Sequence, residues 1–276
     1  MNFYRFKRFF LIFCLTSLLS GCHEGLFFPA GEISIQQKNL ILISFFVMLL
    51  VIIPVIFMTI FFSYKYRKKS INKDYNPDWN HSYIIEFFTW GIPILIIFFL
   101  SILSWKKTHE LDPRKSLQVQ STPIKIEVVS LDWKWLFIYP KQKIISVNEL
   151  VLPTNVPIEF YITSNAVMNS FFIPSLGSQV YAMPGMTSKL NLISNFSGIY
   201  KGISSNYSGA GFSDMKFKVI STINYKFFNS WLNKVKKIGK NIFTFNDFKK
   251  VYTNKLIKYF SFNDLKLIEK FIQKGN

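Results

Sequence analysis

Two long runs of apolar residues, followed by many short ones broken by turn formers, divide this chain into a membrane part and a water-facing part. Leu40 to Phe62 is 23 residues without a charge. At about 1.5 Å per residue it would form a helix of roughly 34 Å, enough to cross the hydrocarbon core. Tyr83 to Leu103 is a second such run, about 32 Å long at the same rise. Pro54 in the first, and Gly91 with Pro93 in the second, are expected to kink the helices where neighbouring helices satisfy the freed carbonyls. Such breaks hint at a larger membrane partner.

The segment joining the runs, residues 63–82, carries Lys65, Arg67, Lys68, Lys69 and Lys73 against Asp74 and Asp78. A short basic loop of this kind stays in the cytoplasm, so residues 22–39 and 104–122 must face outward. From Pro123 to about Ile220 the pattern changes to short β-branched or aromatic stretches. Examples are Ile124 to Val129, Trp133 to Tyr139, Ile158 to Thr163, Lys189 to Ile193 and Met215 to Ile220, with Pro140, Pro153, Pro174, Pro184-Gly185 and Ser208-Gly209 among the breaks. That spacing predicts a β-sandwich over 123–220. Beyond it, Tyr225 to Ile238 and Asn263 to Gln273 place apolar residues at helical spacing, which predicts a helical extension over 221–276 packed on the sandwich. The fold class is therefore a membrane-anchored all-β protein with a two-helix transmembrane hairpin.

The first 21 residues read as a signal peptide, with Arg5, Lys7 and Arg8 ahead of the apolar run Phe9 to Leu19. The run ends in Leu19-Ser20-Gly21-Cys22, the lipobox pattern, in which Cys22 receives a diacylglycerol and becomes the new N-terminus. The bland alternative is a cysteine that ends an uncleaved anchor. Export puts Cys22 outside, in agreement with the basic loop, and predicts a multi-pass lipoprotein of a bacterial inner membrane. With two spans present, the acyl chains (palmitate among them) serve local positioning more than attachment.

Charge and side-chain chemistry narrow the function. The net charge of +18 would suit nucleic acid in a cytoplasmic protein, but export removes that partner. The chain has two cysteines, Cys14 and Cys22, and three histidines, His23, His81 and His109. Residues 116–276 therefore contain neither type, which removes the usual ligands of copper, zinc, haem and iron–sulfur clusters, and any histidine-assisted nucleophile. In the same residues, 20 Lys/Arg against 8 Asp/Glu leave +12, a charge that repels a basic cytochrome c.

Several separated segments carry a resemblance. VMNSFFIPSLG (Val167 to Gly177), PGM (Pro184 to Met186) and GIYKGISSNYSGAGFSDMKF (Gly198 to Phe217) resemble the cupredoxin domain of haem-copper oxidase subunit 2. Cytochrome c oxidases of that family place a histidine ligand in the first segment and Cys-x3-Cys-x3-His-x2-Met in the last. Here the histidine position is Asn169, the cysteine positions are Ser204 and Ser208, the second histidine is Phe212, the carbonyl ligand is Asn206, and the methionine is kept as Met215. A binuclear copper centre needs bridging thiolates, which serine cannot supply near neutral pH. Asn169, Ser204 and Ser208 are expected to hydrogen-bond locally instead.

Loss of the ligands with their spacing kept is similar to the quinol-oxidising, cytochrome o branch of the family. Both helices, the lipobox and Asp132-Trp133-Lys134-Trp135 leading to Tyr139-Pro140 also match it. The resemblance implies an accessory subunit 2 without a redox centre, which caps and helps assemble a subunit 1 holding haem b, haem o and copper. Subunits 3 and 4 complete a complex that oxidises ubiquinol, reduces oxygen to water and pumps protons, with no call for cytochrome c.

Two further features stay open. Glu86 is the one acid within a span; by resemblance it stands at the mouth of a proton-uptake path, and the alternative is an interfacial carboxylate favoured by the helix dipole. Trp133 and Trp135 would alternate across a strand, with packing and subunit contact favoured over passing electrons. A rival reading from another class is a stand-alone lipoprotein whose sandwich binds a ligand.

Overall fold

The computed structural model describes residue 25 and residues 27–67, 80–117, 121–242 and 259–262. The signal peptide, Cys22, most of the basic loop and the expected helix from Asn263 to Gln273 lie outside the described residues.

Two long helices, α1 (Glu32–Lys65) and α2 (Tyr83–Glu110), contain the two apolar runs and continue unbroken through Pro54 and Pro93. α1 starts eight residues before Leu40 and α2 ends seven after Leu103, so each projects roughly 10–12 Å beyond its apolar stretch on the sandwich side. Hydropathy could not mark these ends, because polar turns continue a helix when tertiary contacts satisfy its terminus. At the start of α1, the Ser34 hydroxyl accepts from Gly31 N–H at 3.1 Å and lies 2.7 Å from the Ser175 carbonyl of the sandwich. Gly31 is required there: a Cβ would fall 2.5 Å from the Ile193 carbonyl oxygen. No residue of α2 is buried, and in α1 only Ile33 and Ser34 are, so both apolar surfaces remain for lipid and other helices.

The water-facing part is a sandwich of two mixed sheets. In chain order the strands are β1 (Ile124–Leu131), β2 (Lys134–Tyr139), β3 (Ile144–Val147), β4 (Glu149–Pro153), β5 (Pro157–Ser164) and β6 (Asn169–Phe172). β7 (Val180–Ala182), β8 (Ser188–Ile193), β9 (Gly198–Ser204) and β10 (Lys216–Thr222) follow, then helix α3 (Tyr225–Ile238) and strands β11 (Lys240–Ile242) and β12 (Tyr259–Phe262). One sheet runs β11-β12-β3-β2-β1-β5-β8, and the other β4-β10-β9-β6-β7. The β1–β5 and β4–β10 pairs are parallel, as crossovers between the sheets require.

The core is a cluster of rings contributed by both sheets. Phe171 and Phe217 stack at 5.2 Å and 7° between Trp135, Phe137 and Phe160. Gly202 leaves room for this stack, since a Cβ there would lie 2.0 Å from the Phe217 ring. Tyr139 is fully buried, and its hydroxyl accepts from Val151 N–H at 3.0 Å and donates to Val151 O at 3.1 Å. Burial holds this phenol well above the usual tyrosine range.

The C-terminal region departs from the expected all-helical extension. α3 forms as its period indicates, capped by the Asn224 side chain, which accepts from Phe227 N–H at 3.3 Å, and it buries Phe228, Leu232 and Val235. But β12 then pairs antiparallel with β3, and β11 parallel with β12, so the chain returns to the sheet. Strands of three or four residues carry too little periodicity to be read locally; their partner strand specifies them. The Tyr259 hydroxyl secures β12 by donating to Glu149, and burial, then that carboxylate, pushes the phenol up to about 12.

Candidate functional site

The positions that the resemblance would place at copper ligands come together at one end of the sandwich. Asn169 opens β6 at 1% exposure, and Ser204 closes β9 at 5%. Asn169 Nδ2 donates to Ser130 Oγ at 2.7 Å and to the Val167 carbonyl at 3.0 Å, while its Oδ1 accepts from Ser204 Oγ at 3.1 Å. The Asn206 carbonyl lies 3.4 Å from the Ser204 hydroxyl, and the Asn206 amide donates to the Met168 carbonyl. Met215 is 1% exposed in the core, and its carbonyl accepts from Ser204 N–H at 3.1 Å.

The remaining two positions sit on the same loop but bond elsewhere. Phe212 packs against Tyr207 at 5.7 Å between centroids. The Ser208 carbonyl accepts from Trp133 Nε1 at 3.3 Å, whereas the Ser208 hydroxyl, expected to bond locally, is buried with no partner among the described residues. Trp133 also corrects the expectation of a strand tryptophan. At φ 53° it occupies the left-handed turn between β1 and β2, with its ring over the loop. Gly211 permits that approach, since a Cβ would come 2.3 Å from the indole. The sequence signal missed was the Asp132-Trp133 turn, masked by the aromatic run that follows it. Trp135 is wholly buried in the ring cluster, the packing role expected of it.

A binuclear copper centre does not fit these residues. Asn169 and Ser204 present neither thiolate nor imidazole, and their polar atoms are engaged with each other and with Ser130. A metal would have to break those buried bonds for hard, neutral ligands. No electron step is therefore routed through an ion held here.

Glu86 lies at the opposite end of the molecule, in the first turn of α2. Its carboxylate is 3.3 Å from His81 Nε2, both groups being about half exposed. The His81 ring rests edge-on against Tyr83 at 4.2 Å, which orients it toward the helix start. Sequence spacing alone did not single out His81, because it falls just outside the apolar run.

Two helices under a mixed β-sandwich, with a hydrogen-bonded amide and hydroxyls gathered at one end of it, define a membrane-anchored cupredoxin-like protein. Residues 139–222 match the family described as cytochrome c oxidase subunit II, periplasmic domain. The cytochrome bo(3) ubiquinol oxidase subunit 2 of Buchnera aphidicola subsp. Baizongia pistaciae is 53% identical, over 95% of this chain and 93% of its own length. The protein of the same name from Pseudomonas putida is 52% identical, over 86% of this chain and 76% of its own. The periplasmic domain of subunit II of cytochrome oxidase from Bradyrhizobium japonicum overlies 44% of this chain and 98% of its own, at 24% identity and a TM-score of 0.40. The chain belongs to the ubiquinol oxidase subunit 2 family.

Proposed function

We propose that this chain is the accessory subunit 2 of a proton-pumping terminal ubiquinol oxidase, and that it carries no redox centre itself. Haem b, haem o and copper reside in subunit 1, which oxidises ubiquinol within the bilayer and reduces oxygen to water; subunits 3 and 4 complete the complex. The two helices dock on subunit 1, and the sandwich caps its periplasmic face. Acylated Cys22 lies on that same side of the inner membrane. The observation that carries the reading is the buried Asn169–Ser204–Ser130 network, which fills the ligand positions with bonds a metal would have to break. The +12 charge of residues 116–276 supports it, because a basic cytochrome c is repelled and quinol needs no external port.

Glu86 serves as the cytoplasmic mouth of the proton path into subunit 1, with His81 Nε2 3.3 Å from its carboxylate. The test is gentle detergent extraction through a tag on this chain, followed by haem spectroscopy and metal analysis. Co-purification with haem b and haem o, with no purple mixed-valence copper signal, is the expected result. A haem-free monomer would favour the stand-alone lipoprotein, and a purple signal would return the chain to the copper-bearing branch.

A further inference from the structure

The segment preceding α1 does not lead away from the membrane; it folds back toward it. Lys38 Nζ donates to the Phe27 carbonyl at 3.1 Å across 11 positions, so Phe27 lies beside the second turn of α1. An extended lead of five residues from Glu32 would instead carry Phe27 roughly 16 Å away. The fold-back is fixed at both ends. Phe28 N–H donates to the Gly25 carbonyl at 3.0 Å in a turn where Gly25 has φ +109°. Ala30, 3% exposed, donates to Ser175 O at 2.7 Å and accepts from Asn195 N–H at 2.8 Å.

This geometry sets a depth. Lys38 is two residues above Leu40, where the apolar run begins, and so about 3 Å outside the hydrocarbon along the helix axis. Gln37, one residue earlier, already donates to Ser178 of the sandwich at 3.0 Å, so the domain rests directly on the bilayer surface. Phe27 is nonetheless 60% exposed. An exposed aromatic residue whose carbonyl meets an ammonium at headgroup level matches the chemistry of an interfacial anchor, with the cation near lipid phosphate.

We propose that Phe27 and Lys38 form an interfacial hook that docks the base of the sandwich onto the outer-leaflet surface of the bilayer. The occupant of this patch is lipid, because the patch is continuous with the lipid-facing surface of α1 and carries the charge that complements anionic headgroups. The hook rests on reading α1 as a span.

The test uses the full chain in its complex, reconstituted in vesicles of phosphatidylethanolamine and phosphatidylglycerol. A nitroxide is attached at Phe27→Cys, at Phe57→Cys within the apolar run of α1, and at Tyr207→Cys on the exposed site loop, with unsubstituted protein as the labelling blank. Collision with oxygen, which prefers lipid, is compared with collision with a water-soluble nickel chelate. The Phe27 label is expected to fall between the two controls, and to shift toward the Tyr207 value when Lys38→Gln is added. A Phe27 label as water-exposed as Tyr207 overturns the hook. So does one shielded from both reagents, since a protein partner would then cover it. If the Phe57 label is also water-exposed, the span itself fails rather than the hook alone.

Discussion

Replacing Asn169 by alanine separates a structural filling of the site from a functional one. The side chain is 1% exposed and makes three bonds, to Ser130 Oγ, Val167 O and Ser204 Oγ. Each net bond contributes about 1 kcal/mol, and a buried polar group left unpaired adds about 1–3. Ser204 keeps the Asn206 carbonyl as a nearby partner, so its loss is small; the wholly buried Ser130 hydroxyl loses more. The change should therefore cost about 3 kcal/mol. For a sandwich of this size that lowers Tm by roughly 6–12 °C. The assay is thermal unfolding of the detergent-solubilised complex, paired with ubiquinol turnover at a temperature where both forms are folded. Turnover should stay at the parent level, because on the proposed reading no electron passes through this network. A Tm within about 1 °C of the parent would refute the energetic argument. Collapse of turnover with folding intact would refute the reading of the site as structural.

Three further outcomes can be measured. Tyr139→Phe removes both bonds to Val151 and should cost about 1–3 kcal/mol, read by thermal unfolding. The raised phenol of Tyr139, with Tyr259 near 12, also fixes a pH window. The folded state holds these protons more tightly than the unfolded one, so their stabilisation is complete below about pH 10 and is lost as pH rises through the folded values. The alkaline fall in Tm should be shallower in Tyr139→Phe, and an unchanged slope would argue against that phenol as its source. Gly202→Ala drives a Cβ into the Phe217 ring and should destabilise by about 1–3 kcal/mol or prevent folding, whereas Gly25→Ala, at φ +109° but with open space around it, should strain only its own turn and leave the core intact. Glu86→Ala should slow proton uptake and turnover in the assembled complex, with His81→Ala giving a smaller effect in the same direction; unchanged uptake in Glu86→Ala would dismiss the proton role.

Much of the architecture is legible because it depends on local pattern. A run such as Leu40 to Phe62 spans a membrane whatever follows it, since unsatisfied backbone and charge are excluded from hydrocarbon. The amphipathic period of Tyr225 to Ile238 likewise announces a helix with one buried face, and Phe228, Leu232 and Val235 form it. The lack of histidine and cysteine after residue 109 is fixed by composition, and no fold can supply a thiolate that the chain does not encode.

Tertiary structure alone decided the features that depend on distant partners. The pairing of β12 with β3, the parallel β1–β5 ladder and the left-handed turn of Trp133 over Gly211 arise from contacts remote in sequence. So do the extra helical turns below Gly31, which Ser34 and Ser175 hold together. The physical reason is that hydrophobic periodicity records which face of a segment is buried, but not which segment buries it. A hydrogen bond such as Asn169 to Ser204, made across 35 positions, exists only once the sheets have met.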